Sequence, residues 1–237
     1  MYVYDMHMHT SQASKCAKSS GKEMARASLE NGYSGIVITD HFFNGYTCIP
    51  AQLPWKERVR LFCSGYEEAC LEGERIGLKV FFGWEYCLNG TEFCTYGLDE
   101  NWLIEHEGIN RIPVQEYFRA VHASGGFISH AHPFRKRGDI PPVQLFPQFM
   151  DAVEVWNGGN AQIRFNEEAL RYAARNRLLY TAGSDSHRVD ALKGGGVSIR
   201  KPADTLGALL DCIRKRDIAV VKGLGTWEEI FSDDDFR

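Results

Sequence analysis

The sequence predicts a single α/β barrel domain, and three observations carry that expectation. Short apolar runs alternate with helical patterns about six or seven times along the 237 residues. No composition shift, Gly/Ser linker or internal repeat divides the chain, so residues 1–237 read as one domain. Histidines and carboxylates follow the carboxyl ends of the apolar runs, the edge on which barrel proteins build their sites.

The elements follow in order. Residues 2–6 read as a buried strand leading into His7 and His9. A helical pattern over 21–31 stops at Gly32, and GIVIT at 35–39 forms the next strand, followed by Asp40 and His41. Segment 42–64 is long for a barrel loop and rich in aromatics: it fits either a lid or a packed extension. A helix over 65–76 places Tyr66, Ala69, Gly73 and Ile76 on one face before Gly77. KVFFG at 79–83 is followed by Glu85, and a short strand is expected near 92–97. Pro113 opens a helix over 113–123, and strand 126–131 ends in His130 and His132. Strand 152–156 runs into Asn157, helix 161–175 follows, and strand 179–182 leads to Asp185 and His187. A last helix is expected over 203–215. The Gly194–Gly196 triplet lacks a GK[ST] ending and reads as a flexible turn, and the acidic end FSDDDF as a solvated tail.

Composition narrows the function classes. Apolar residues at 44% and charged residues at 24% suit an ordinary globular core. A net charge of −4 argues against nucleic acid as an obligate partner but leaves room for a small anion, because bound cations reverse the local sign. The seven cysteines form an odd set without a CxxC pair, which suits reduced thiols. The start MYVYDMHMHT has no secretory pattern, and no apolar run reaches membrane-spanning length. The expectation is a cytoplasmic protein without a membrane partner.

Five of the eight histidines sit directly beyond strand ends, and His130 adds a sixth. In a parallel barrel those ends meet on one face, so residues distant in sequence converge. His7-x-His9, His130-x-His132 and Asp185-x-His187 are i,i+2 pairs, whose side chains share a direction on extended backbone. Imidazole with carboxylate suits zinc, manganese or iron. Burying so many such groups without cations leaves costly unpaired polar atoms.

At these residues the sequence resembles the PHP family (polymerase and histidinol phosphatase domains). The matching stretches are DMHMHT at 5–10, ITDH at 38–41, GWE at 83–85, GGFISHAHP at 125–133, VEVWNG at 153–158 and GSDSH at 183–187. The resemblance implies a distorted (β/α)7 TIM-like barrel and a metal-dependent phosphoesterase holding two or three divalent ions. It implies a first ion at His7, His9, Glu85 and Asp185, a second shared through Glu85 with His132, and a third at His41 and His187. The family often adds a histidine just after the bridging glutamate; here Glu92 is the nearest substitute and Cys94 a weaker one. Where a third-site histidine or aspartate is usual, this chain has SQASKC, placing Ser14 or Lys15 there.

The implied reaction uses a metal-bridging hydroxide as nucleophile on a small phosphorylated substrate. His130 and Asp40 are the candidate general acids, with Asp40 alternatively orienting a ligand. Arg135, Lys15 and Arg188 are the candidate phosphate-binding cations, with Arg137 a further possibility. If 42–64 is a lid, Phe42, Phe43, Tyr46 and Trp55 shape the leaving-group pocket, and Lys56, Arg58 and Arg60 lie near phosphate. A phosphomonoesterase of histidinol-phosphatase type is the leading reading. A phosphodiesterase or 3′-exonuclease on nucleotides, amide hydrolysis, and a metal-binding regulatory module without turnover are the alternatives.

Overall fold

A computed structural model of the chain describes residues 1–136, 138 and 143–232. Arg137 and the acidic stretch 233–235 therefore lie outside the described residues. Ten strands form one curled mixed sheet: β1 (Tyr2–Met8), β2 (Gly35–Ile38), β3 (Lys79–Leu88), β4 (Thr91–Tyr96), β5 (Phe127–Ala131), β6 (Ala152–Asn157), β7 (Leu179–Gly183), β8 (Gly195–Ile199), β9 (Ala219–Lys222) and β10 (Glu228–Ser232). Their order is β10-β9-β8-β1-β2-β3-β4-β5-β6-β7. The main helices are α1 (Gly21–Glu30), α2 (Trp55–Ile76), α3 (Glu100–Glu105), α4 (Val114–Ala123), α5 (Ile163–Asn176) and α6 (Leu206–Arg214).

The expected all-parallel (β/α)7 arrangement is corrected in two places. β4 runs antiparallel to both β3 and β5, joined to β3 by a tight turn in which Asn89 and Gly90 both have positive φ, 48° and 86°. An Asn-Gly pair is the favoured sequence for such a hairpin turn, so the connection needs no crossover helix. Beyond β7 the chain turns back as an antiparallel run β8–β9–β10, with β8 pairing antiparallel to β1. Among the described residues, the strands that pair in parallel are β1–β2–β3 and β5–β6–β7.

The curl nevertheless brings the first and last parallel strands together. The His9 amide donates to the Ser186 carbonyl at 3.0 Å, and the Asp185 amide to the His7 carbonyl at 2.9 Å. Gly183 makes that approach possible: a Cβ there would lie 2.4 Å from the His7 Cβ, a distance real atoms do not tolerate.

Local sequence explains the helices. Ser20 caps α1, accepting from the Glu23 amide while Glu23 reaches back to the Ser20 amide, a reciprocal capping box. Gly77 ends α2 in the left-handed conformation at φ 85°. This helix starts at Trp55, ten residues before the expected boundary. Phe42 and Trp55 are buried in the core, and Phe43 packs against it, so most of the 42–64 aromatics serve the packed-extension reading. Arg58 is buried with its guanidinium over the Phe43 ring. Tyr46 alone of the four aromatics is exposed. The glycine triplet is a correction too: Gly195 and Gly196 open the buried strand β8, where Gly196 lets the Tyr4 backbone pass. No helix among the described residues is long and apolar enough to cross a membrane.

Candidate metal centre

Eight side chains from six separated stretches meet at one end of the curled sheet. His7 and His9 come from β1 and its exit, His41 from the end of β2, Glu85 from β3 and Glu92 from β4. His132 follows β5, and Asp185 and His187 follow β7. Their ligand atoms form four interlocking triads, each with all atoms within 4.8 Å: His9–His41–His187, His7–Glu85–His132, His7–His9–Asp185 and His41–Glu85–Glu92. Glu85 is common to two of them. Its Oε1 lies 3.2 Å from His7 Nε2 and 3.1 Å from His132 Nε2, and its Oε2 lies 2.6 Å from His41 Nδ1.

Backbone conformation aims several of these groups. His7 and His9 share a face of extended chain, and their Nε2 atoms are 3.0 Å apart. His132 and Asp185 stand instead on left-handed backbone, φ 27° and 54°, a conformation uncommon outside glycine. That turn corrects the expectation for His130-x-His132. In the β4–β5 register, Glu92 faces Ala131 and Cys94 faces Ser129 on the inner side, while Phe93 faces His130 on the other. His130 is fully buried, packs its ring 4.8 Å from Phe93, and has no hydrogen-bond partner on either nitrogen. Burial, with a smaller contribution from His132, pushes its pKa down to about 3. A neutral imidazole held among aromatics is not placed to act as a general acid on the cluster.

Asp40, the other candidate acid, is also spent elsewhere. It accepts from the Thr10 amide and hydroxyl at 2.6 Å each and from the Ser14 hydroxyl at 2.6 Å. Ser14 Oγ in turn accepts from the His41 amide and lies 3.1 Å from His9 Nδ1. Because the Ser14 proton goes to Asp40, the His9 Nδ1 must be the donor, which leaves its Nε2 lone pair for the cluster. Burial outweighs these hydrogen bonds and pushes the Asp40 carboxyl up to about 6.

Glu154, passed over in the sequence, does the same for His7. It sits 2.9 Å from His7 Nδ1, accepts from the His132 amide at 2.9 Å and from the Asn157 side chain at 2.8 Å. A charged residue in the middle of the apolar run AVEVW was the available signal. His187 is fixed by donating Nδ1–H to the Asp185 carbonyl at 2.9 Å. Cys16 is the second omission: its Sγ lies 3.2 Å from His41 Nε2. Burial works against ionisation of this thiol, but His187 and His41 outweigh it and pull the pKa down to about 7.

The candidate anion-binding cations separate. Arg135 is part-buried and joins the cluster, with Nη1 2.6 Å from Asp185, Nη2 donating to Asn157 at 2.6 Å and Nε to Asn160 at 2.9 Å. Burial tends to depress the carboxyl's ionisation, yet Arg135 and His7 hold Asp185 well below the usual carboxylate range. Lys15 is exposed with its ammonium over the Tyr46 ring, and Arg188 is forked onto Asp190 at the surface. Cys94 is buried on the inner face near His7, and burial pushes its thiol up to about 12.

The donor set fits divalent cations. Glu85 Oε2 and His41 Nδ1 are buried, close, and without a hydrogen bond to any group. A buried carboxylate crowded by imidazoles without hydrogen-bond geometry is costly, and cations within the cluster would relieve that cost.

The family model described as PHP-associated matches residues 164–218, a stretch holding α5, β7, Asp185, His187, β8 and α6. In structure, the chain is similar to a two-domain protein from Bacteroides vulgatus described as containing a predicted PHP-like metal-dependent phosphoesterase, with TM-score 0.68 and 16% identity over 92% of this chain. The chain is similar to PHP-type proteins in that segment and in fold. The chain spans 64% of the Bacteroides protein's length. A metal-dependent phosphoesterase from Bifidobacterium adolescentis, described as putative, gives TM-score 0.54 at 18% identity, covering 78% of this chain and 87% of its own. An amidohydrolase from Chromobacterium violaceum, with bound sulfate and no metal, gives 0.51 at 14% identity, with the same two coverages. No curated protein matches the chain by sequence.

Proposed function

We propose that this chain is a metal-dependent hydrolase of phosphate esters, acting on small phosphomonoesters. The observation that carries the proposal is Glu85, a fully buried carboxylate common to two adjoining ligand triads. Divalent cations bound there supply Lewis acidity and make water acidic enough to yield a nucleophile near neutral pH. His7, His9, Glu85 and Asp185 would hold the first, Glu85, Glu92 and His132 the second, and His41 with His187 the third.

The chain's own groups do the rest. Glu154 and the Asp40–Ser14 pair keep His7 and His9 in the tautomers that present Nε2 to the centre. Arg135, beside Asp185 and permanently charged, is the guanidinium that meets a phosphate oxygen; Lys15 is the next cation on the Cys16 loop. The net negative charge of the chain favours a compact substrate over long nucleic acid.

A second reading, amide hydrolysis, draws support from the Chromobacterium neighbour, whose own description is amidohydrolase. Metal analysis combined with turnover of p-nitrophenyl phosphate, bis-p-nitrophenyl phosphate and an acyl p-nitroanilide separates the readings. Preference for the monoester supports the proposal. Preference for the diester or the anilide moves the substrate class, and bound metal without turnover of any of them argues for a binding module.

A further inference from the structure

We infer that Cys16 is a metal ligand, completing a third cation site with His41 and His187 and giving this chain a thiolate where its other two sites offer only imidazole and carboxylate. The inference rests on the metal-centre reading above, and its test does not depend on turnover.

Three observations place the sulfur. Cys16 Sγ is 3.2 Å from His41 Nε2, on the side of that ring away from Glu85, which faces Nδ1. The loop carrying Cys16 is clamped on both flanks: the Lys15 amide donates to the Tyr46 carbonyl at 2.9 Å, and the Lys18 amide to the His187 carbonyl at 2.7 Å. The second clamp ties the cysteine loop directly to one of its proposed partner ligands. His187 spends Nδ1 on the Asp185 carbonyl, so Nε2 is the atom it has to offer.

Independently of the cysteine, His9, His41 and His187 place ring nitrogens close enough to hold an ion between them. Three imidazoles crowded together without a cation repel whenever protonated and leave lone pairs unmatched when neutral.

The neighbouring alternatives on the same loop are already committed. Ser14 Oγ is fully buried, donates to Asp40 and accepts from the His41 amide, with His9 Nδ1 as its third partner. Lys15 points its ammonium over Tyr46. Cys16 is therefore the residue of SQASKC with an uncommitted donor atom beside the His41 imidazole. Metal binding takes the thiol proton to solvent and leaves the sulfur as an anionic ligand, with no oxidation or reduction. A soft sulfur selects zinc, cobalt or ferrous iron over magnesium or calcium at this position, whereas the oxygen-rich sites are more permissive.

The test is cobalt substitution of the full chain, read by absorption and by metal content. The wild-type protein should develop a near-ultraviolet sulfur-to-cobalt charge-transfer band on loading. Cys16→Ser should lose the band and about one equivalent of cobalt, while Cys16→Asp should recover the metal without the band. Cys94→Ala, which removes the other thiol near the centre, should keep it. A band that persists in Cys16→Ser, or that disappears only in Cys94→Ala, overturns the inference. Wild-type protein that binds cobalt without the band overturns the inference and leaves the hydrolase reading standing; failure to bind any metal sinks both.

Discussion

Glu85→Gln is the substitution on which the metal-centre reading is most exposed. The change keeps the size of the side chain and removes one negative charge from a group with His7, His132 and His41 at 3.2, 3.1 and 2.6 Å. In the loaded protein the amide would hold divalent cations less well than the carboxylate, because it carries no charge to offset theirs. Removing one partner of a buried charged contact costs about 3–5 kcal/mol, which is roughly 200- to 5000-fold in metal affinity. The unloaded protein should respond differently. Burial opposes ionisation of Glu85 but the His7 and His41 imidazoles hold its pKa well below the usual range; the amide loses those attractions and also escapes the cost of burying a charge. The two changes oppose, so the metal-free state should lose less stability than the loaded state. Equilibrium dialysis with zinc or manganese gives the affinity, p-nitrophenyl phosphate the turnover, and thermal unfolding with and without chelator the two stabilities. A variant that binds metal and turns over like the wild type refutes the shared-carboxylate assignment. A variant that is destabilised equally with and without chelator shows that Glu85 serves folding.

Three further substitutions probe the surroundings. Glu154→Gln keeps a group beside His7 Nδ1 but weakens its hold on the tautomer, so metal affinity or turnover should fall about 10- to 100-fold, with unchanged metal affinity and turnover as the contrary outcome. Gly183→Ala drives a Cβ into His7 and should cost about 1–3 kcal/mol together with metal occupancy, measured by denaturant unfolding and metal analysis; a fully stable, fully loaded variant would show that β1 and β7 can part freely. His130→Leu should leave turnover within about threefold and make the protein more acid-resistant. The folded pKa of about 3 lies below the ordinary histidine value near 6.5, so the unfolded chain takes up the proton first. Stability from a neutral His130 is therefore complete above pH ~6.5 and is lost progressively as pH falls toward 3, by up to about 5 kcal/mol. Identical acid unfolding curves for the two proteins would contradict this.

Much of the centre could be read from the chain because its groups follow strand ends, and strand ends are visible as apolar runs. His7, His9, His41, Glu85, Glu92, His132, Asp185 and His187 all converge. What escaped the sequence has identifiable causes. The i,i+2 argument worked for His7 and His9 on extended backbone but failed at His130, because positive φ at His132 turns the chain just where the rule assumes it is straight. The Asn89–Gly90 pair signalled a hairpin, yet the dominant strand–helix alternation argued for parallel pairing, and β4 proved antiparallel. The β8–β10 run was missed since its strands are only four or five residues long and β8 opens on two glycines. Glu154 and Cys16 belong to no strand end; only the three-dimensional approach of β6 and of the 9–20 loop brings them to His7 and His41.

The left-handed turns at His132 and Asp185 bear on how long the protein lasts as well as on what it binds. Such backbone in non-glycine residues costs of order 1–3 kcal/mol each, and the folded chain carries that burden whether or not ions have arrived. Ions that favour the folded form return stability by mass action. Newly made chains are thus at their most vulnerable to proteases before loading, and scarcity of metal should show first as a drop in the amount of this protein present, ahead of any loss in the activity of each surviving copy.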